Sequence, residues 1–420
     1  MRVLIINTSE RIGGAAIAAN RLMEALKNNG IKAKMLVRDK QTNQVTVVAL
    51  RKSWLHIWKF VWERFIIWKA NRFNKHNLFA VDIANTGTDI TTLPEFRQAD
   101  VVHLHWINQG MLSLKNIQRI INSQKPIVWT MHDMWPVTGI CHHADTCTNY
   151  QTQCHDCQLL TNSSKHDLSY QIFRKKQLLY KNANITFIAC SKWLEGLAQK
   201  SILTLEHSVT NIPNPINTNL FHPLDKTQIR KKLNLPEDKK LLLFSSMKIS
   251  NPKKGIHYLI EACRILQQQY PEFCQSLGIL VMGKEAEQYT NLFPFPFYCL
   301  NYVHNEREIV NIYNASDLFV TPSLQENLPN TIMEAMACGT PCVGFNIGGI
   351  PEMIDHLHNG YVAQYKSAED LANGIYWSLN DGNYNNLSEE ARRKAVTTYS
   401  EHIIAMKFIR IYNQITGENA

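Results

Sequence analysis

The sequence predicts an α/β protein with two domains, each built around a doubly wound parallel sheet. Three observations favour this fold class. The chain has 420 residues, which is enough for two or three domains. Short apolar runs alternate with helical patterns, as in parallel sheets covered by helices on both faces. This alternation runs through two cycles, which a segment rich in proline and asparagine separates.

The first cycle begins at the amino terminus. Residues 3–6 predict a strand, Gly13 and Gly14 a turn, and the apolar spacing up to Leu26 a helix. Apolar runs predict further buried strands at residues 33–37, 101–104, 127–129 and 185–188 in the first cycle, and at 241–244, 279–283, 318–320 and 341–344 in the second.

The break between the cycles lies at residues 211–216, which hold two prolines within a polar context. We therefore predict an N-terminal domain over residues 1–211 and a C-terminal domain over 212–398. A last helix, in residues 399–420, is expected to return to the first domain. Ligands of such folds bind beyond the carboxyl ends of the strands, so we expect a site in a central cleft between the domains.

Composition excludes several classes of protein. Apolar residues make up 45% and charged residues 19%, which is unlike a disordered or collagen-like chain. The longest apolar runs are short, whereas a spanning helix needs about 20 residues. The apolar run at the amino terminus is also too short for a signal sequence. We expect a cytoplasmic protein.

Charge is concentrated in the first half of the chain. The net charge is +9, but residues 1–210 hold 26 basic and 14 acidic residues, a balance of +12. Such asymmetry predicts an anionic partner. No helix-turn-helix, zinc-finger or RNA-module pattern is present, so we expect no nucleic acid.

Residues 51–75 carry a charge of +6 and four of the nine tryptophans. Basic charge and aromatic bulk on one helix are typical of a helix at a membrane interface. The alternative is a core-facing helix with a solvated basic rim. The residues predicted to meet an anionic membrane are Arg51, Lys52, Trp54, Trp58, Lys59, Trp62, Trp68 and Lys69.

The strongest chemical signal is the segment 322–341, in which Glu326 follows a strand and Glu334 lies inside the next helix. A loop that enters a helix presents backbone N–H groups and the positive end of the helix dipole, which suit an anion. Carboxylates can accept hydrogen bonds from sugar hydroxyls. Two glutamates seven residues apart would otherwise be ordinary solvated helix residues.

The segment resembles the retaining GT-B glycosyltransferases of family 4. The resemblance rests on Glu326-x7-Glu334, the following residues 335–341, residues 348–352, Asn359-Gly360 and the linker at 212–216, and it covers essentially the whole chain. It implies that Glu326 contacts the donor sugar and that Glu334 holds the ribose. Backbone amides in the segment that holds Asn327, Leu328, Asn330 and Thr331 would meet the sugar or the diphosphate.

The family often grips the diphosphate with Arg-x5-Lys, and this chain has Lys248-x5-Lys254. Lysine is a point charge rather than a bidentate fork, so Lys254 is the stronger candidate of the two. Either could instead be a solvated surface lysine.

His132 follows the predicted strand 127–129, where ligands of parallel sheets bind. The resemblance places the corresponding histidine beside the donor sugar, although a lone histidine is more often structural. Gly14 belongs to a glycine loop in which backbone can approach the reacting groups. The pattern is not Gly-x-Gly-x-x-Gly, which disfavours a nicotinamide site.

No Asp-x-Asp occurs, so we expect catalysis without a metal, with lysines and helix amides neutralising the leaving group. The resemblance implies a front-face mechanism, in which the leaving phosphate helps to deprotonate the acceptor.

Four cysteines cluster in a short segment: Cys141, Cys147, Cys154 and Cys157. Cys154-x2-Cys157 is a suitable half-site for a structural zinc ion, and two more thiols would complete a tetrahedral set. Disulfides and free buried thiols are the alternatives, and a cytoplasmic setting disfavours disulfides.

These observations together predict a glycosyltransferase that acts with retention at the inner face of a membrane. It would move a sugar from a nucleotide-diphosphate donor to a glycan or a lipid-linked acceptor in bacterial surface polysaccharide synthesis. The alternatives are a non-catalytic, zinc-stabilised membrane scaffold of the same fold, and a phosphorylase or sugar-phosphate-processing relative.

Overall fold

Each half of the chain builds one parallel sheet, as the alternation of strands and helices predicts. The computed structural model describes residues 1–51 and 54–417. They form two units: the first comprises Met1–Pro215 and the chain from Ile404 onward, and the second comprises Ile216–Ile403.

The sheet of the first unit has seven parallel strands in the order β3-β2-β1-β4-β5-β6-β7. The strands are β1 Arg2–Ser9, β2 Lys32–Asp39, β3 Val47–Ala49, β4 Val101–Leu104, β5 Ile127–Met131, β6 Ile185–Ala189 and β7 Val209–Asn211. The helices before the linker are α1 Gly14–Asn28, α2 Trp54–Ala70, α3 Pro94–Gln98, α4 Leu114–Asn122, α5 Leu168–Tyr180 and α6 Lys192–Lys200.

Both faces of this sheet are buried. Along β1, Leu4 and Ile6 belong to one hydrophobic cluster, whereas Val3 and Ile5 belong to another. Successive side chains of a strand point to opposite faces, so a continuous apolar run is what a doubly covered sheet requires.

The sheet of the second unit has six parallel strands in the order β10-β9-β8-β11-β12-β13. The strands are β8 Lys240–Lys248, β9 Leu277–Lys284, β10 Phe297–Leu300, β11 Leu318–Thr321, β12 Cys342–Phe345 and β13 Gly360–Ala363. Its helices are α7 Lys226–Lys232, α8 Ile256–Gln269, α9 Pro271–Cys274, α10 Glu306–Ala315, α11 Asn330–Ala337, α12 Ile350–Met353, α13 Ala368–Tyr376 and α14 Tyr384–Tyr399.

The last helix, α15 Glu401–Thr416, belongs mainly to the first unit, although the chain reaches it from the second. Phe408 and Tyr412 are buried against the same apolar cluster as Val3 and Ile5. The predicted fold class, two Rossmann-like units with parallel sheets, is confirmed.

Candidate active site

The loop between β11 and α11 carries most of the residues predicted to bind the donor. Glu326 is partly buried, Asn327 and Leu328 are buried, and Asn330 and Thr331 form the first turn of α11. The loop leaves the carboxyl end of a central strand and enters the amino end of a helix. This arrangement directs backbone N–H groups and the helix dipole toward an anion.

The turn that carries Lys254 packs directly on this loop. Gly255 has φ +69°, and a Cβ at this position would lie 1.9 Å from the carbonyl oxygen of Pro322. The Leu324 amide donates to the carbonyl of Lys253 over 2.8 Å. The close approach brings the Lys254 ammonium onto Oε1 of Glu326, with which it forms a hydrogen-bonded ion pair.

A second glycine turn, which follows β12, packs on the loop between β11 and α11. A Cβ on Gly348, at φ +56°, would lie 1.8 Å from the carbonyl oxygen of Glu326. The neighbouring Gly349 amide donates to the carbonyl of Asn327 over 2.8 Å. Two glycine turns therefore fix the backbone around Glu326.

Glu334 lies one turn inside α11 and is buried. Its Oε2 accepts a hydrogen bond of 3.0 Å from the hydroxyl of Tyr313, a fully buried residue of α10. Burial, together with the carboxylate of Glu334, also raises the pKa of Tyr302. The carboxylate predicted to hold the ribose is thus oriented by a phenol that no local sequence pattern indicates.

Lys248 is engaged elsewhere in the second unit. Its Nζ lies 3.1 Å from Oε1 of Glu285, and its side chain is mostly exposed. Glu285 also accepts a hydrogen bond from the hydroxyl of Ser250. The structure therefore pairs Lys254 with Glu326 but pairs Lys248 with a different carboxylate.

In the first unit, His132 follows the last residue of β5, at the carboxyl end of the strand. Its Nε2 lies 2.9 Å from Nδ1 of His105, and its Nδ1 lies 3.5 Å from Sγ of Cys190. Burial lowers the pKa of His132 to about 4, although the charge of Asp133 opposes this shift. His132 is therefore neutral at physiological pH and able to donate from one ring nitrogen and accept at the other.

Asp133 leads from this histidine into a chain of buried polar groups. Its Oδ2 lies 2.7 Å from Nδ1 of His142, and Nε2 of His142 lies 2.7 Å from Oδ2 of Asp82. Burial opposes protonation of His142, but the two carboxylates outweigh it and raise its pKa to about 10.

Gly14 is the first residue of α1, and Gly13 before it has φ +92°. A left-handed backbone at this position favours glycine, and nothing lies within 4 Å of where a Cβ on Gly13 would be. The requirement at Gly13 is thus conformational.

The zinc site predicted at Cys141, Cys147, Cys154 and Cys157 is not supported. All four are free thiols. Within residues 1–51 and 54–417, no group of three or more His, Cys, Asp or Glu side chains is arranged to hold a metal ion. Burial raises the pKa of Cys154 to about 12 and that of Cys157 to about 11, and the neighbouring Cys147 adds to both shifts.

Most of the predicted membrane segment forms α2, and most of the aromatic residues of this helix are exposed. Trp54, Trp58 and Trp62 are exposed, whereas the buried face carries Glu63, Arg64 and Ile67. A core-facing helix with a basic rim would instead bury its aromatic residues and expose its charged ones. In the described part of the chain, no helix is both long and apolar enough to cross a membrane.

The other residues of this prediction differ in exposure. Arg51 and Lys69 are exposed, Trp68 is partly buried, and Lys52 lies outside the described residues. Lys59 is partly buried, and its Nζ donates a hydrogen bond of 2.8 Å to Oγ1 of Thr88.

Comparison with known proteins agrees with this fold. Residues 225–394 match the family model described as "Glycosyl transferases group 1". In solved structures, HepE from Anabaena in complex with UDP-glucose superimposes with a TM-score of 0.65 at 17% identity, covering 99% of this chain and 100% of that one.

Two curated relatives carry more specific names. The N,N'-diacetylbacillosaminyl-diphospho-undecaprenol alpha-1,3-N-acetylgalactosaminyltransferase of Campylobacter jejuni is 28% identical over 206 residues, which are 48% of this chain and 52% of that protein. The amylovoran biosynthesis glycosyltransferase AmsK of Erwinia amylovora is 30% identical over 181 residues, 39% of this chain and 42% of that protein. The chain spans about half the length of the first curated relatives that it matches.

The two parallel-sheet units thus have the GT-B fold. Residues 225–394, which lie in the second unit, match the model of the glycosyl transferases group 1 family.

Proposed function

We propose that this protein is a metal-independent, retaining glycosyltransferase of family 4 that uses a nucleotide-diphosphate sugar. The observation that carries the proposal is the convergence of Lys254 and Glu326 on the loop that opens α11, with Glu334 buried one turn further on. A cation and helix amides suit a diphosphate, and carboxylates suit sugar and ribose hydroxyls. The match of residues 225–394 to group 1 glycosyl transferases supports the same chemistry.

In this mechanism, the bond between the sugar C1 and the diphosphate oxygen breaks, and a bond from C1 to an acceptor oxygen forms on the same face. The acceptor proton passes to the leaving phosphate. Lys254 and the α11 amides stabilise the charge on that phosphate. Glu326 and His132 hold the donor sugar, and Glu334 holds the ribose.

The first experiment is a screen of nucleotide sugars for thermal stabilisation. A ligand present at 100 times its dissociation constant should add about 2.7 kcal/mol to the free energy of unfolding. The nucleotide sugar that stabilises is then used to measure transfer or hydrolysis. Glu326→Ala and His132→Ala should each abolish turnover while the variants stay folded.

If no nucleotide sugar stabilises the protein, the proposal is contradicted and a non-catalytic scaffold is favoured. Turnover that requires a sugar phosphate but no nucleotide would favour a phosphorylase.

We further propose that the acceptor is a glycan or a lipid-linked sugar of a bacterial surface polysaccharide, reached from the cytoplasmic face of a membrane. The names of the two curated relatives support this setting. The exposed tryptophans of α2 and the exposed cations Arg51 and Lys69 suit an anionic lipid surface. Co-sedimentation with anionic vesicles but not with neutral ones tests this contact, and failure to bind anionic vesicles at low salt would overturn it.

A further inference from the structure

A buried chain of hydrogen bonds connects the inner face of α2 with the loop that carries His132. Arg64, on α2, pairs with Oδ1 of Asp82. The other oxygen of Asp82, Oδ2, lies 2.7 Å from Nε2 of His142, whose Nδ1 lies 2.7 Å from Oδ2 of Asp133. Asp133 is the residue next to His132. All five residues belong to the first unit.

The two bonds of His142 fix the direction of this chain. A carboxylate can only accept hydrogen bonds, so both ring nitrogens of His142 must donate. With both carboxylates ionised, the ring therefore bridges Asp82 and Asp133 as a donor at both ends. A charge-assisted hydrogen bond of this kind is about twice as strong as a neutral one.

Asp133 is held at three points by different segments. Besides the bond from His142, its Oδ2 accepts a 3.0 Å bond from Nε1 of Trp106, and its Oδ1 accepts a 2.8 Å bond from the Trp135 amide. The Trp106 ring also stacks on His142, with ring centroids 5.8 Å apart. Because these three hydrogen bonds fix the position of Asp133, the backbone of the adjacent His132 is also restrained.

The far end of the bridge is equally fixed. Arg64 donates to the carbonyls of Leu78 and Val81 over 2.6 and 3.0 Å, in addition to its pair with Asp82. Nε1 of Trp135 donates to the carbonyl of Asp82 over 2.8 Å. His142 is thus the link between a rigid anchor on α2 and the loop after β5.

We propose that His142 is a positioning residue that holds the loop of His132 in the orientation required for sugar transfer. The inference rests on the proposed function, because it assigns a role in that reaction. His142 acts through Asp133 and need not touch the substrate. Displacement of a catalytic group by about 1 Å can lower turnover about 100-fold, so a bridge of this kind can control the rate without contacting the donor.

The test compares His142→Ala with His155→Ala in the full chain. His155 is an exposed histidine of the same segment, paired with Asp156, and serves as the matched control. With the nucleotide sugar found by the screen, His142→Ala should lower kcat tenfold or more. The dissociation constant of the nucleoside diphosphate should change less than twofold, because its predicted ligands lie in the second unit. Added imidazole should restore several-fold of the lost kcat, since it can donate to both carboxylates.

Hydrogen exchange supplies a readout that does not depend on activity. The Trp135 amide, which donates to Asp133, should exchange faster in His142→Ala than in the wild type. In His155→Ala it should exchange at the wild-type rate. If His142→Ala does not fold, Trp106→Phe replaces it. That variant removes only one donor to Asp133 and should lower kcat several-fold with an unchanged melting temperature.

Three outcomes would overturn the inference. One is a normal kcat in a folded His142→Ala variant, even where its melting temperature falls. Another is a lowered kcat that imidazole does not raise, together with a Trp135 amide that stays protected. The third is a normal kcat in Trp106→Phe when His142→Ala does not fold. If the wild type itself turns over no nucleotide sugar, the proposed function fails, and the role of His142 in it fails too. If the wild type is active, the proposed function stands and the variants test the role of His142 alone.

Discussion

Lys254 is the cation whose removal should affect nucleotide binding most. Its ammonium lies on the α11 loop beside Glu326, and a hydrogen bond to a charged group contributes about 1.5–3 kcal/mol. We expect Lys254→Ala to weaken binding of the nucleoside diphosphate about tenfold or more. Isothermal calorimetry measures this directly.

Two neighbouring lysines give graded controls for this prediction. Lys248, which pairs with Glu285, should matter less than Lys254. Lys253 is exposed, and only its backbone contacts the loop, so Lys253→Ala should leave binding unchanged. Equal losses in all three variants would indicate a general effect of charge and would remove Lys254 from the phosphate site.

Gly255→Ala should disrupt both stability and binding. The new Cβ would meet the Pro322 carbonyl at 1.9 Å, and the left-handed φ adds a cost of about 1–2 kcal/mol. The turn must therefore move, and Lys254 moves with it. We expect a loss of about 2 kcal/mol or more in the free energy of unfolding, measured by urea denaturation, and weaker nucleotide binding.

Gly196→Ala is the matched control for this change. Gly196 lies inside α6, and nothing is within 4 Å of its future Cβ. Alanine there should raise stability by about 0.5–1 kcal/mol, because glycine is unfavourable inside a helix. A harmless Gly255→Ala variant would show that the turn adapts and that its glycine is not required.

At the level of single residues, the sequence predicts the groups that lie in one continuous motif. Glu326 and Glu334 lie in one such motif and Lys254 lies in a second, Lys248-x5-Lys254, and the family resemblance of these motifs selects the three residues. Tyr313, Asp82 and the partners of His142 cannot, since each is brought to its contact by the tertiary fold. A buried polar residue without a local motif gives no sequence signal until its partner is known.

Among the elements, the central strands are easier to predict than the edge strands. β1, β8 and β9 carry continuous apolar runs because both of their faces are covered. The edge strands β3, β7, β10 and β13 have three or four residues and a mixed burial pattern, and none of them is predicted from the sequence. A strand of three or four residues is too short for its apolar pattern to distinguish it from a loop.

One histidine on β4 and one directly after β5 should make the protein sensitive to acid. Burial lowers the pKa of His103 to about 3 and that of His132 to about 4, whereas a histidine in an unfolded chain titrates near 6.5. The unfolded state thus binds more protons between about pH 6.5 and pH 4. The free energy of unfolding should therefore fall as the pH falls through this window.

Urea denaturation at several pH values from 7.5 to 4.5 measures this decrease in the free energy of unfolding. His103→Gln should flatten it, because one of the buried neutral rings is removed, whereas the exposed control His155→Gln should not. His103 bonds Tyr412 of α15 and Thr130 of β5, each over 2.7 Å, so the variant is compared by its slope rather than by its absolute stability. An unchanged slope in His103→Gln would contradict the assignment.

For the whole molecule, the charge asymmetry and the exposed aromatic helix belong to the same unit. Residues 1–210 hold the excess of basic residues, and α2 lies within them. The proposed membrane contact should therefore involve two separable forces. Exposed tryptophans insert into the interface, and surface cations attract anionic lipid by about 1 kcal/mol each.

Two triple variants separate these forces. Replacing Trp54, Trp58 and Trp62 with serine should abolish sedimentation with anionic vesicles at every salt concentration, because the inserted area is lost. Replacing Arg51, Lys69 and Arg72 with glutamine should weaken binding at low salt but have little effect near 1 M, where the screening length is only about 3 Å. The control replaces Leu178 and Leu205 with serine. They are 69% and 63% exposed but lie outside α2, so vesicle binding should be unchanged. If the tryptophan variant binds as well as the wild type, the aromatic face of α2 does not meet the lipid.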